Sequence, residues 1–398
     1  MRVPMADRNR PAPEPARRPS DRALLAAAAG AVLLFVLYVG REALTPFVVG
    51  LLLVYLLAPG VEALARRGLP RWLAILVLYA VVAVGLVQAV SVLARPLIVQ
   101  LGLFVADTPR YVAAITDLLN GLARTYQGLD LPIEIRRLID DAVARALSEA
   151  ARIDPSVLLP VATSLASLVG NVVGYLIVPV WVFYVLKDRA RLLAGVEGQL
   201  PPSWRDEARA IAGIVDQVIG RWLRAQLVLG TVVGVLTFLG LLALSALVDP
   251  VFGRLAVLLA VIAGVFELLP IIGPILSAIP AVLIGLSVGS EATLAVLALY
   301  IAVQQLENNL LVPRIQGDAV RLHPSVVIFA LVVGGTIAGL LGAVLSLPFA
   351  AAAKQVYEYL AAKVPDGPPP VAAGPAVSPA GVPRAGSHRK AGRAPPPS

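Results

Sequence analysis

The sequence predicts an all-α membrane protein with about eight crossings, and three observations support that fold class. Hydrophobic residues make up 58% of the 398 positions, and charged residues make up only 15%. Several apolar stretches run for about 18 residues or more, the length that a helix needs to cross a hydrocarbon core of roughly 30 Å. Glycine and proline interrupt the apolar segments of the final third, which predicts broken or re-entrant helices there.

Basic residues near both ends predict the orientation of the chain. The first 22 residues are rich in arginine, and the tail 354–398 combines lysine and arginine with many prolines and alanines. Neither composition favours a packed core, so we expect disordered basic tails. By the positive-inside rule, both tails are expected in the cytoplasm, where they serve orientation rather than nucleic-acid binding.

The first half of the chain predicts four spans and one insert. Apolar runs at 23–39 and 44–58 form a helical pair or a hairpin, and a span at 72–94 completes a first domain, 23–94. Segment 95–160 balances seven arginines against eight acidic residues and carries apolar residues at helical spacing. It predicts an extracytoplasmic helical insert, either a cap packed on the spans or a solute-capturing domain. A fourth span is expected at 161–186.

The second half begins with a charged stretch, 187–225. It predicts a cytoplasmic amphipathic helix along the inner membrane surface, with Ser203 as its N-cap and a basic face near anionic headgroups. A motif-rich membrane region, 226–353, follows, with apolar segments at 226–247, 255–268, 271–288, 292–311 and 326–353. Nine crossings would leave the basic tail outside, so one segment should not cross. Segment 326–353 is our candidate because it contains Gly334, Gly335, Gly339, Gly342 and Pro348.

The residue inventory weighs against an enzyme, a metal site and an ATP-driven pump. The chain has no cysteine, and its only histidines are His323 and His388. The sequence offers no zinc-binding histidine pair, no Ser-His-Asp triad inside the membrane and no GxxxxGK[ST] phosphate loop. We therefore expect no cofactor. The expected partners are the lipid bilayer and a small hydrophilic solute or a monovalent cation, and a homo-oligomer stays an open alternative.

The segment "QQLENN" places polar side chains at the end of an apolar run. On a helix, Gln304, Glu307 and Asn308 fall within about a third of a turn, and Gln305 and Asn309 widen the polar arc to more than half the circumference. Polar groups are costly against lipid, so the arc must contact protein, line an aqueous pathway or lie at the membrane interface. The pathway and interface alternatives both stay open.

A second candidate lies in "FELLPIIGP". Glu267 is an acid in an apolar stretch, three residues before the helix-breaking Pro270. It lies either at a membrane boundary or in a protected cavity, where it can carry a proton. The overlapping "GPILSAIPA", 273–281, resembles "GAVLSLPFA", 342–350. Corresponding Gly/Pro-interrupted segments point to a transporter binding site, although apolar sequences of this composition also match by chance.

Three motifs follow one another in the final third: "ELLPIIGPILSAIPA", "QQLENNLLVPRIQGDAVRLHP" and "GGTIAGLLGAVLSLPFAA". In this order and spacing they resemble the AI-2E family of bacterial transporters, formerly called uncharacterised family 0118, which includes PerM-like permeases. The resemblance covers roughly residues 23–362 and is specific in the final third. It implies a multi-pass permease of the bacterial cytoplasmic membrane. It also implies functional roles for Glu267, Pro270, Gly273, Pro274, Gln305, Glu307, Asn308, Pro313, His323 and Pro324.

Three functional hypotheses result. The leading one is a secondary transporter that moves a small hydrophilic solute out of the cell; the resemblance suggests a signal similar to autoinducer-2. The second is a sodium/proton antiporter that uses Glu267 or Glu307 as the exchanging carboxylate and Asn308 or Asn309 as a neutral oxygen ligand. The third, of a different class, is a non-transporting membrane scaffold that presents the insert outside the cell.

Overall fold

The structure is a computed structural model that describes residues 35, 40–127, 132–151, 177–316 and 322–363; within these ranges every regular element is helical. Five of the described helices are long and apolar enough to cross a membrane, and two shorter apolar helices accompany them. These features confirm the all-α polytopic fold class. The predicted tail 1–22, the first apolar run apart from residue 35, and residues 161–176 of the fourth predicted span lie outside the described residues, as does the tail beyond Lys363.

Twelve helices lie within the described ranges, and one of them contains a sharp reversal. Their bounds are α1 Arg41–Arg66, α2 Arg71–Ala106, α3 Thr108–Gln127, α4 Ile133–Ala151, α5 Ile177–Gln199, α6 Pro202–Leu247, α7 Val251–Arg254, α8 Ala256–Phe266, α9 Ile272–Val288, α10 Ser290–Leu306, α11 Val312–Ile315 and α12 Pro324–Ala361. A π-helical turn, Glu307–Leu311, joins α10 to α11.

Helices α1, α2 and α5 form the first packing group. Val61, Ile75 and Leu186 are fully buried at the contact of the three helices. The Arg71 guanidinium donates a hydrogen bond to the Leu186 carbonyl oxygen at 2.7 Å, which ties the start of α2 to α5. The α1–α2 connection turns at Gly68, whose φ of 95° is a backbone conformation that glycine adopts without steric cost. This group supports the rest of the bundle through contacts of α1 and α5 with α6.

Helix α2 continues twelve residues past the predicted end of the third span, with Pro96 inside it. The predicted insert boundary at 95 therefore falls within a helix. Helices α3 and α4 lie in the predicted insert, and α3 packs against α9. Tyr111 of α3 is buried in the same core as Phe252 and Ile284, with its ring 5.0 Å from that of Phe104. This packing favours a cap held on the membrane helices.

Helix α6 contains 46 residues, about 69 Å of continuous helix. The expectation of a separate helix is wrong, because the predicted helix that starts near Ser203 and the predicted apolar segment 226–247 form one element; its location along the membrane surface stays a prediction. Trp222, Ala225 and Leu229 are buried through the predicted junction, so tertiary packing holds the helix together there. Ser203 is not the N-cap either: Pro201 occupies the cap position, Pro202 begins the helix, and no side chain caps it.

Two helical hairpins dominate the final third. The first hairpin consists of α8, a tip at 267–271, and α9. The second hairpin is α12, whose helical backbone breaks at Ala338 and Gly339, where Gly339 has φ 58° and ψ −142°. The backbones of Gly334 and Gly342 come into contact across the turn, and Leu331 packs beside Leu347. The predicted break in segment 326–353 is confirmed by this reversal, whereas its failure to cross the membrane stays a prediction.

The first hairpin is a second broken element. Helix α8 has 11 residues and spans about 16 Å, which is less than the hydrocarbon thickness.

At the base of the second hairpin, Tyr359 and Lys363 both donate to the Glu207 carboxylate, with the tyrosine hydroxyl at 3.0 Å. This contact fixes the end of α12 against the first turns of α6.

Candidate functional site

The tip of the first hairpin is built from the motif residues that the sequence analysis selected. Glu267 caps the end of α8, Pro270 lies in the turn, and Ile271 has an unusual positive φ of 72°. A Cβ atom on Gly273 would collide with the carbonyl group of Phe266, so only glycine permits this close return. Pro274 follows in the first turn of α9, where its carbonyl oxygen accepts a hydrogen bond from the Ser277 hydroxyl at 2.9 Å.

Glycines bring α8 into close contact with α6. A Cβ atom on Gly264 would lie 2.7 Å from the Gly230 carbonyl oxygen, and one on Gly234 would lie 3.1 Å from that of Ala260. This close crossing places Glu267 beside Gln226, one turn before Gly230 on α6. Gln226 is fully buried, and its amide Nε2 donates to the Glu267 carbonyl oxygen. The hairpin tip is therefore anchored to the longest helix.

The π-helical turn positions the second acid. Pro313 has no N–H to donate to the carbonyl four residues earlier, and its ring crowds that carbonyl. The helix widens just before it: the Val312 N–H donates to the Glu307 carbonyl oxygen, five residues back. Such single π turns are frequent at functional sites. Here the wider turn leaves Glu307 buried while its neighbours Asn308 and Asn309 are exposed.

The side chains of Glu267 and Glu307 together form a buried carboxyl pair. Glu267 is 3% exposed and Glu307 is 6% exposed, and their carboxyl groups lie within hydrogen-bonding reach of each other. In the described part of the chain, no donor reaches the Oε2 atom of either residue. Two ionised carboxylates are acceptors only, so a hydrogen bond between them requires one shared proton. The pair is suited to bind and release that proton.

The rest of the polar arc connects the carboxyl pair to the surface of the chain. Gln304 lies within hydrogen-bonding reach of the Glu307 carboxyl group and donates to Asn308 Oδ1 at 3.4 Å. On the adjoining face, Asn309 Nδ2 donates to Gln305 Oε1 at 3.2 Å. The arc thus separates into one buried carboxyl group and four amide side chains, of which only Gln304 is half-buried. Gln304 is the link between the two.

His323 and Pro324 begin the second hairpin. His323 is exposed and occupies the N-cap of α12, where its Nδ1 atom accepts a hydrogen bond from the Ser325 N–H at 3.3 Å. Pro324 is the first helical residue, a position at which its missing N–H costs nothing. These contacts assign both residues a role in starting the hairpin.

The two hairpins share local detail. Gly273 and Gly342 each contact the preceding arm through backbone atoms, and four residues later Ser277 and Ser346 each donate to the carbonyl three positions back, at 2.9 and 2.7 Å. A cavity of about 320 Å³ separates the first tip from the second hairpin; it is lined by apolar residues, Gly335 and Thr336. Gly334 and Pro348 are buried within the second hairpin.

Two site residues were missed by the sequence analysis. Gln316 Nε2 donates to Gln226 Oε1 at 2.9 Å, which continues the chain of contacts from the Glu267 carbonyl to the end of α11. The sequence feature that could have indicated this contact is a single polar residue, Gln226, at the start of a predicted span. Gly230 and Gly234 follow it at intervals of about one helical turn. Across the described ranges, no three His, Asp or Glu side chains converge as metal ligands.

Comparison with known proteins gives consistent results. The model of the AI-2E transporter family matches residues 28–362. The Bacillus subtilis protein YrrI, named as a transport protein, is 30% identical over 317 residues, which cover 78% of this chain and 84% of YrrI. PerM of Escherichia coli K12, named as a permease, is 32% identical over 326 residues, 79% of this chain and 86% of PerM. TqsA of the same strain, named as an AI-2 transport protein, is 26% identical over 321 residues, 80% and 87% of the two chains.

Proposed function

The chain belongs to the AI-2E transporter family, and on that premise we propose that it is a proton-coupled secondary transporter that moves a small hydrophilic solute out of the cell. The observation that carries this proposal is the buried carboxyl pair, which joins the tip of the first hairpin to the π-helical turn. Buried ionisable groups within a membrane protein are costly and are typical of proton and ion pathways. TqsA, the relative named for AI-2 transport, supports an autoinducer-2-like signal as the solute.

The coupling follows from the charge of the pair. With one shared proton the pair carries a single negative charge and a hydrogen bond that holds the hairpin tip against the π turn. When the proton leaves, two neighbouring carboxylates repel each other in a site with little water. This repulsion favours separation of the hairpin tip from the π turn. Proton binding and release therefore select between two arrangements of the hairpin tip, and the solute gains access in one of them.

The four amide side chains of the polar arc supply the hydrophilic part of the pathway. Gln304, Gln305, Asn308 and Asn309 present donors and acceptors to a solute that carries hydroxyl or carbonyl groups. Gln304 contacts both Asn308 and the Glu307 carboxyl group, so it connects the surface amides with the proton-carrying site. This continuity favours the pathway alternative over a purely interfacial location of the arc.

The experiment uses the purified full-length protein in proteoliposomes with a pH indicator inside. Metabolite profiles of cells with and without the gene, measured inside and outside, first identify the solute and its direction of movement. We expect the wild type to move protons when a gradient of that solute is imposed, and Glu267→Gln and Glu307→Gln to lose this movement. Glu291→Gln, an exposed acid at the other end of α10, is the matched control and should behave as the wild type.

A sodium/proton antiporter is the second candidate, because a carboxyl pair can also exchange its proton for a monovalent cation. A sodium gradient replaces the solute gradient in the same vesicles. Proton movement driven by sodium alone, and lost in both glutamine variants, would establish this alternative. Movement that persists in both variants, with either gradient, would remove the carboxyl pair from the mechanism.

A further inference from the structure

A cavity of about 300 Å³ lies where α6 meets the end of α11, separate from the carboxyl pair. Two arginines of α6 and the amide of Gln316, the residue after α11, provide its charged and amide groups, and aliphatic side chains and the Trp222 indole complete the wall. The lining residues are Arg221, Trp222, Arg224, Ala225, Val228, Ile315 and Gln316.

The positive charge of this cavity is not neutralised by a carboxylate in the described part of the chain. Arg221 and Arg224 lie three residues apart on one face of α6, and neither has an ion-pair partner there. Within the described residues, Arg224 donates one hydrogen bond, to the Tyr55 carbonyl oxygen at 3.1 Å, which leaves other N–H groups of its guanidinium for a ligand. A guanidinium stays charged at any physiological pH, so the cavity offers a permanent site for an anion.

The apolar wall narrows the ligand class. Val228 is half exposed and lies about two turns beyond Arg221 on α6, in the direction of the apolar part of the helix. Ile315, the last residue of α11, adds a second aliphatic side chain to the lining. An occupant of the cavity thus meets two guanidinium groups at one end and hydrocarbon surface at the other. A phospholipid has this distribution of charge and apolar surface, whereas a small hydrophilic solute does not.

We propose that this cavity binds the phosphate headgroup of an anionic phospholipid, with Arg221 and Arg224 on the phosphate and the acyl chain along Ala225 and Val228. Arginine binds phosphate with two parallel hydrogen bonds, and basic pockets between membrane helices are suited to such headgroups. Gln316 lines the cavity and also donates to Gln226, which holds the Glu267 carbonyl. The bound lipid therefore stabilises the contacts that anchor the tip of the first hairpin.

The test measures lipid binding to the delipidated full-length protein in detergent by native mass spectrometry. Phosphatidylglycerol and phosphatidylcholine are titrated separately, and inorganic phosphate is added as a competitor. Arg221→Gln is the principal variant, because Arg221 has no protein partner in the described ranges and its loss should leave the fold intact. Arg191→Gln is the control, since that side chain is 89% exposed and lies outside the cavity. Melting temperatures verify that each variant is folded.

We expect phosphatidylglycerol to bind more tightly than phosphatidylcholine, and Arg221→Gln to weaken its binding about fivefold. Arg224→Gln should add a similar loss, and Arg191→Gln should have no effect. Equal binding of the two lipids, or binding unchanged by Arg221→Gln, would overturn the proposal. Displacement of the lipid by millimolar inorganic phosphate would overturn it in favour of a free phosphate-bearing ligand. These results do not depend on transport activity, so they are separate from the test of the proposed function.

Discussion

At the scale of single residues, the site depends on groups that touch although they are far apart in sequence. Glu267 and Glu307 are each recognisable as unusual acids, but they lie forty positions apart, with two complete helices, α9 and α10, between them. Their contact requires the close return at Gly273, the glycine crossing of α6 and α8, and the wide turn before Pro313. The local sequence was enough to identify both acids. Their proximity depends on tertiary packing, which a local sequence pattern does not reveal.

The hairpin tip provides a residue-scale prediction. Gly273→Ala should lower the melting temperature of the purified protein, because the new Cβ meets the Phe266 backbone, which cannot move independently of α8. The expected loss is about 1–3 kcal/mol, the usual cost of overpacking a filled site. Gly335→Ala is the matched control, since its Cβ would meet only Ala343 Cβ at 3.9 Å. Equal melting temperatures for the two variants would contradict the tip geometry.

At the scale of helices, the sequence patterns predicted where a helix is broken better than they predicted how far a helix continues. The glycines between 334 and 342 correctly predicted the reversal of α12, because a tight helical return needs both a positive φ and backbone contact. The 46-residue length of α6 was missed. Charge along its first half resembles a surface helix, and only burial of Trp222 and its neighbours by other elements reveals that the helix continues. The polar arc was predicted as one unit, but Glu307 alone is buried.

The second hairpin can be tested by cross-linking in a chain that has no cysteine of its own. Leu331 and Leu347 pack together across the hairpin, although sixteen residues of straight helix would hold them about 24 Å apart. The variant Leu331→Cys, Leu347→Cys should form an intramolecular disulfide under mild oxidation, seen as a change in gel mobility that a reductant reverses. The pair Leu331→Cys, Phe349→Cys is the control because Phe349 is exposed. Failure of the first pair to cross-link would mean that α12 crosses without turning back.

At the scale of the whole molecule, the proposed function needs a membrane orientation. We propose that the chain lies in the bacterial cytoplasmic membrane with both termini in the cytoplasm, which agrees with the basic residues around Arg66, Arg67 and Arg71, along α5 and α6, and in both tails. Family membership favours transport over the scaffold hypothesis. The described core also ties the α3 region to α9, which favours a cap rather than a separately presented domain.

A reporter fused directly after Lys363 tests this orientation. A re-entrant second hairpin returns its end to the side where it began, so a reporter that is active only in the cytoplasm should be active at this position. A second fusion after Arg67 should give the same result, because the basic α1–α2 turn is expected on the same side. Activity of a periplasmic reporter after Lys363 would refute the placement of both termini in the cytoplasm.

The most direct measurement of the central claim is an infrared spectrum of the carboxyl groups in the purified protein at neutral pH. A proton shared by Glu267 and Glu307 should produce a protonated-carboxyl C=O band in the wild type, because a hydrogen bond between two carboxyl groups needs one proton. We expect this band to disappear in the double variant Glu267→Gln, Glu307→Gln and to remain in Glu291→Gln. Identical carboxyl bands in the wild type and the double variant would contradict it.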